Sequence, residues 1–274
     1  MSLYSAYETL SADELLALVQ ERDSADPEHD SDELWSAIGA LARRADDAVV
    51  KAVEGWCCSD RPPLRRLGAD VFGQMGCYEA LPIDRVPALN RLRSLLHDPE
   101  ASVRSSAAAS FGHFPSDLWS PSDVIPFAED SAEEVRFSVA FALGGTCCDR
   151  SDAAVQALLR LMEDPDDDVR DWATFGLGIS DADSPLVRDA LAKRLDDPRL
   201  DTRCEAIVGL ARRHDERAAS PILEGLGYDS VSSLMVEAAE AMPRRAFLEP
   251  LQAILESNPD DPSIEAAIAA CQNA

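Results

Sequence analysis

The stretch DPDDDVRDWATFGLG, from Asp164 to Gly178, sets a run of carboxylates just ahead of Arg170 and continues into small and aromatic residues. Clustered carboxylates beside a guanidinium could bind a cation, clamp an anion or move a proton. The same residue types also build a helix start, where aspartate accepts backbone N–H groups and favours the positive end of the helix dipole. Whether the stretch is a site or a structural rung depends on whether it occurs once.

It recurs. VRDWATFGLG from Val169 has counterparts in LRRLGADVFG from Leu64, VRSSAAASFG from Val103, VRFSVAFALG from Val135, TRCEAIVGLA from Thr202 and LMVEAAEAMP from Leu234. The starting points are 39, 32, 34, 33 and 32 residues apart. Five residues before five of these starts stands an aspartate: Asp98, Asp130, Asp164, Asp197 and Asp229. Just after the start stands Arg65, Arg104, Arg136, Arg170 or Arg203. A small or β-branched fifth residue and a larger apolar ninth residue give the spacing of one buried helix face. Each such helix follows another amphipathic segment, such as AAVQALLRLM before Asp164. Proline after the aspartate, as in Pro99, Pro165 and Pro198, stops the first helix and presets the turn.

The unit is therefore helix, aspartate turn, helix. A pair of about 33 residues cannot bury its apolar face alone, whereas stacked pairs can. The expected fold is all-α, a right-handed α-solenoid of about seven to eight helix pairs. It is read as one domain over residues 1–274, with capping helices in 1–45, repeats in 46–258 and a closing cap in 259–274. Ser11 and Glu14 have the spacing of a capping box. GCYEALPIDRVP and FPSDLWSPSDVIP interrupt the rhythm.

The frame D-P-x-x-x-V-R-x-x-A-x-x-x-L-G resembles the HEAT repeat, in the short form also seen in phycobilin lyase subunits. The resemblance covers about residues 46–272. It implies an interior ladder in which Asp98, Asp130, Asp164 and Asp197 meet Arg104, Arg136, Arg170 and Arg203. It also implies that the second helix of each pair lines a concave face. There the apolar residues that packing does not require are Phe137, Phe141, Trp172 and Phe175. Phe141 and Phe175 share the seventh frame position in adjacent copies and are expected side by side. Glu205, Glu237 and Glu240 supply negative charge around them. The plain alternative is that these aromatics fill gaps between helices. Trp35, Trp56 and Trp119 are read as core or cap residues.

Charge and composition limit the functions. There are 51 acidic and 25 basic residues, a formal net charge of −26. That repels phosphate backbones and anionic membranes, so no nucleic acid and no membrane partner is expected. A basic protein or peptide fits, as does simple solubility. The seven cysteines are odd in number, with vicinal pairs Cys57–Cys58 and Cys147–Cys148 and no C-x-x-C, as for small buried residues in a reducing compartment. The chain opens without a basic start and apolar run, and a cytoplasmic location is expected.

Enzymes do occur among HEAT-like proteins. Deoxyhypusine hydroxylase holds iron through paired His-Glu motifs, whereas none of His29, His97, His113 and His214 precedes a glutamate. Alkylpurine DNA glycosylases of this fold use a cationic groove, which the net charge opposes. No P-loop, G-x-S-x-G or dinucleotide-binding glycine pattern is present. The reading is a non-enzymatic scaffold that binds a protein or peptide, a basic one fitting the charge, with no catalytic residue, no metal and no cofactor. The alternative is an enzyme or accessory factor, either phycobilin-lyase-like or a divergent DNA glycosylase.

Overall fold

The computed structural model describes Tyr7, Thr9 to Asp26, His29, residues 31–78, 84–146, 151–228 and 230–274. These residues form fifteen α-helices and no strand. They divide into two compact units, Met1–Cys147 and Cys148–Ala274. Each unit is a stack of helix pairs, the arrangement of a helical solenoid.

In the first unit, α1 (Ala12–Ala25) pairs with α2 (Asp32–Arg44), α3 (Asp47–Cys57) with α4 (Pro62–Gly76), and α5 (Arg85–Leu95) with α6 (Ala101–Phe111). A fourth second-helix, α7 (Glu133–Thr146), follows two short 3-10 turns, Pro121–Asp123 and Ile125–Phe127. These turns stand where a first helix belongs. Pro115, Pro121 and Pro126 prevent a continuous helix there. Trp119 and Val124 still bury their side chains, so the segment fills the layer without being helical. Residues 79–83, inside the other long connection, lie outside the described residues.

The second unit holds α8 (Asp152–Leu161) with α9 (Asp167–Ile179), α10 (Pro185–Arg194) with α11 (Leu200–Arg212), α12 (Ala219–Gly225) with α13 (Ser233–Ala241), and α14 (Leu248–Ser257) with α15 (Pro262–Gln272). Second helices pack on one another in sequence: α2 on α4, α4 on α6 and α6 on α7, then α9 on α11, α11 on α13 and α13 on α15.

Packing follows the frame. The first, fifth and ninth positions are buried in every copy of the second unit except the half-buried start Leu234, as in Val169, Ala173 and Leu177. Small residues let second helices approach closely. A Cβ added to Gly209 on α11 would lie 2.9 Å from Gly178 Cα on α9. One added to Gly73 on α4 would lie 2.5 Å from Ser110 Oγ on α6, whose hydroxyl donates to the Ala69 carbonyl at 2.9 Å. At the start of the chain, Ser11 and Glu14 close a reciprocal capping box on α1.

Candidate functional site

The aspartate turns have a repeating hydrogen-bond pattern. Arg104 donates through Nε and Nη2 to both carboxylate oxygens of Asp130, each at 2.9 Å. Its Nη1 turns back to the carbonyls of Asp98 and Pro99. Arg65 meets Asp98 in the same bidentate way, at 2.6 and 2.8 Å. Arg170 meets Asp197 at 3.0 and 3.3 Å and returns Nη1 to the carbonyls of Asp164 and Pro165. Arg136 and Arg203 make the same return contacts to Asp130 and Ser131, and to Asp197 and Pro198. Asp229 lies outside the described residues.

The aspartate does not cap the second helix. The N-cap residues are Glu100, Asp166 and Arg199, two positions later. Instead, Asp98, Asp130, Asp164 and Asp197 each accept the backbone N–H two residues on, at 3.0 to 3.1 Å. This closes an Asx-type turn. In the turns of Asp98, Asp130 and Asp197, the carboxylate also faces the incoming guanidinium. The guanidinium of Arg104 holds the Asp130 carboxyl below the usual carboxylate range, against the opposing effect of burial. Burial would raise the Asp197 carboxyl, but Arg170 and the turn N–H bring it below that range.

The candidate binding residues all stand on second helices. Phe137 and Phe141 are half-buried on α7 in the first unit, and the Phe141 ring meets that of His113 at 5.3 Å, edge to face. Trp172 and Phe175 are half-buried on α9 in the second unit, with ring centroids 5.6 Å apart. The Phe141 and Phe175 rings thus belong to different units. Glu205 on α11 and Glu237 on α13 are half-buried, and Glu240 is exposed.

The register places two rows across the second unit. The fourth frame position gives Trp172, Glu205 and Glu237 on successive helices; the seventh gives Phe175, Val208 and Glu240. Beside the first row, Asp171 accepts the Thr202 hydroxyl at 3.0 Å, and Arg212 donates to Glu237 at 3.0 Å. Among the described residues, the Glu205 side chain makes no hydrogen bond or ion pair. Burial, then the charges of Asp171, Glu237 and Asp201, push its carboxyl up to about 7, with Arg212 opposing.

A second polar cluster lies in the first unit, and sequence reading missed it. His29 sits between two buried carboxylates, Nδ1 2.8 Å from Asp23 Oδ1 and Nε2 2.7 Å from Asp70 Oδ2. Arg66 also donates to Asp23 at 2.8 Å. Trp35 covers the imidazole edge to face at 5.6 Å, and its indole N–H donates to the His29 carbonyl. Burial alone would lower the imidazole's pKa; the hydrogen bonds to Asp23 and Asp70 outweigh it and raise it to about 9. His29 also has φ 62°, uncommon for a residue other than glycine. The one available signal was Asp70, a carboxylate at the seventh frame position, but nothing in the repeat points to residue 29.

Other reactive groups are muted. Burial pushes the Cys57 thiol up to about 12 and lowers the His113 imidazole. Cys58 and Cys77 are exposed free thiols, and Cys147 and Cys148 lie outside the described residues. Trp56 and Trp119 are buried, whereas Trp35 is 37% exposed over His29. Among the described residues, no group of three or more His, Cys, Asp or Glu side chains is arranged to hold a metal ion. A cavity of about 470 Å³ beside α11 has a mixed lining that includes Leu195, Leu200, Ile207 and Met235 with Asp196, Arg203 and Glu224. Among the described residues, no helix is long and apolar enough to cross a membrane.

Stacked helix pairs, joined turn to turn by arginine and aspartate, define a class of helical-repeat protein. The chain belongs to the HEAT-repeat family: the family model for HEAT repeats matches residues 89–178 and 158–243. Along its whole length it is similar to protein YibA of Escherichia coli strain K12, with 30% identity over 97% of this chain and 92% of that protein. The X-ray structure of the E. coli YibA protein aligns with a TM-score of 0.74 and 27% identity, over 99% of this chain and 96% of that one. The complex of CpcE and CpcF of phycocyanin lyase from Nostoc sp. PCC7120 shares the fold, with a TM-score of 0.50 at 18% identity over 97% of this chain and 95% of that one.

Proposed function

We propose that the protein is a non-enzymatic scaffold that holds a basic segment of another protein, or a basic peptide, on its second-helix face. The observation that carries this reading is the row Trp172, Glu205, Glu237 on α9, α11 and α13, with Phe175 and Glu240 one turn away. Aromatic anchors beside carboxylates suit a partner that alternates apolar and cationic side chains. The arginines of the turns do not make a cationic groove, because Arg65, Arg104 and Arg170 are committed to Asp98, Asp130 and Asp197. That weighs against a phosphate backbone as the partner. The net charge of −26 weighs the same way.

The test is to isolate the tagged protein from its native host at low and at high salt and to identify what accompanies it. A basic protein retained at low salt and lost at high salt supports the reading. A bound pigment or nucleic acid in its place overturns it.

A further inference from the structure

We propose that Glu205 is the seat for one cationic side chain of the partner, with a neighbouring apolar side chain of the same segment resting on Trp172 and Phe175, and that seating the cation releases a proton. This inference rests on the scaffold reading of the second-helix face and names how that face is regulated.

The groups around Glu205 come from three helices. The charge of Asp171 acts on it from α9, those of Asp201 and Arg212 from its own helix α11, and that of Glu237 from α13. All four are already engaged, Asp201 by Arg199 at 3.4 Å. Asp171 accepts the Thr202 hydroxyl, and Arg212 is paired with Glu237. Glu205, half-buried, receives none of these contacts; the charges of three carboxylates raise its carboxyl and that of Arg212 opposes them, while Arg199 is held by Asp168 and Asp201.

The first unit shows how the same fold settles a comparable surplus. Asp70 and Asp23 take the imidazole of His29 between them, under the indole of Trp35. There, a cation with an aromatic cover is supplied by the chain itself. In the second unit the carboxylates and the aromatic pair are present, and no cation from the described residues reaches Glu205. Charge complementarity therefore selects an arginine or lysine from outside the chain.

Glu205 lies near half-protonation at neutral pH. A cation at hydrogen-bond distance favours the carboxylate. Binding and proton release are then linked: at acid pH the partner must displace the proton, and above neutrality the carboxylate is ready. Affinity should tighten about tenfold from pH 6 to pH 8 and then level off.

The probe is an alternating arginine–leucine octapeptide, whose charge is constant over this range. Its affinity for the full chain is measured at pH 6, 7 and 8 in low salt, for the wild type and for E205Q and W172A. The expected result is about tenfold tightening in the wild type, weak and pH-independent binding in E205Q, and weaker binding with the pH dependence kept in W172A. Circular dichroism confirms that the variants fold. Binding that is equally tight at all three pH values overturns the proton linkage and leaves the scaffold reading standing. PH dependence retained in E205Q overturns it too, by assigning the proton to another group. Absence of peptide binding at every pH overturns the cation seat, while the co-purification experiment decides the scaffold reading separately.

Discussion

His29 Nε2 meets Asp70 Oδ2 at 2.7 Å, joining residues 41 positions apart and fixing the segment between α1 and α2 onto α4. With Asp23 on the other ring nitrogen, the imidazole is held in its charged form. Because its folded pKa, about 9, lies above its ordinary value of 6.5, the contact contributes fully below about pH 6.5 and is lost as pH rises through about 9. Urea unfolding of the wild type should therefore show a midpoint that falls between pH 7 and pH 10. H29A leaves the buried Asp70 without its cation and Asp23 with Arg66 alone, and should lose about 3–5 kcal/mol at pH 7. A midpoint that does not move with pH in the wild type would show that His29 is not the titrating clasp.

The ladder carboxylates act at the other end of the pH scale. Asp98, Asp130 and Asp197 are all held below the ordinary carboxylate range. Their contribution is present at neutral pH and is lost as pH falls through those lowered values. Asp197 is the most enclosed, taking Arg170, Arg194 and the backbone N–H of Arg199. D197A takes the buried carboxylate from two buried guanidinium groups, leaving them the more exposed Asp167 and Glu163, and should cost about 3–5 kcal/mol. D183A removes only the exposed pair with Arg188 and should cost less than about 1 kcal/mol. Chemical denaturation of the two variants side by side checks the ordering.

Arg213 works differently, because among the described residues no carboxylate is in hydrogen-bond contact with its buried guanidinium. It donates instead to the carbonyls of Leu177, Gly178, Ser180, Ala182 and Gly209, tying the end of α9 to the end of α11. Burial lowers its pKa. R213M removes the donors and leaves several carbonyls unmatched, at about 3 kcal/mol or more. R213K cannot reproduce the planar fork and should recover less than half of that loss. Thermal unfolding of both variants measures it.

On the proposed face, the aromatic residues should matter for binding more than for folding. W172A with F175A removes the half-buried pair on α9 and should weaken a partner complex by about 2 kcal/mol or more, with the helical signal unchanged. F141A with F175A removes one ring from each unit. Unchanged affinity in both double variants would take the aromatic patch out of the binding model, whereas loss of helical signal would assign these rings to the core.

G209A isolates close packing from chemistry. The added methyl group would meet the backbone of Gly178 at 2.9 Å. Helix propensity alone favours alanine by about 1 kcal/mol. A net loss of stability on urea unfolding would show that contact between α9 and α11 outweighs propensity.

Much of this architecture was legible because it repeats. The valine, arginine and small-residue positions recur at near-constant spacing, so helices, turns and fold class followed from periodicity. The distinction between Asp197 as a helix cap and Asp197 as a turn closer was not legible. Both use an aspartate before a helix, and only the backbone shows that the cap falls at Arg199. The segment around Trp119 reads as an interruption, yet it keeps its place in the layer through buried apolar side chains. The His29 cluster has no period and brings together residues far apart in the chain. Arg213 looks like any arginine at a helix end until the five carbonyls around it are seen.

The ladder joint has a direction. In Arg104 and Arg170, one edge of the guanidinium grips the turn behind it and the other grips the aspartate of the turn ahead. The copies of Arg104 and Arg170 thus carry a plug and a socket of the same make. Deleting or duplicating the residues between equivalent points of two copies, a step of 32 to 34 residues over most of the array, rejoins a plug with a socket. An insertion inside a turn breaks the joint on both sides. Length in this architecture is quantised, and genetic duplication can extend the stack without inventing a new interface.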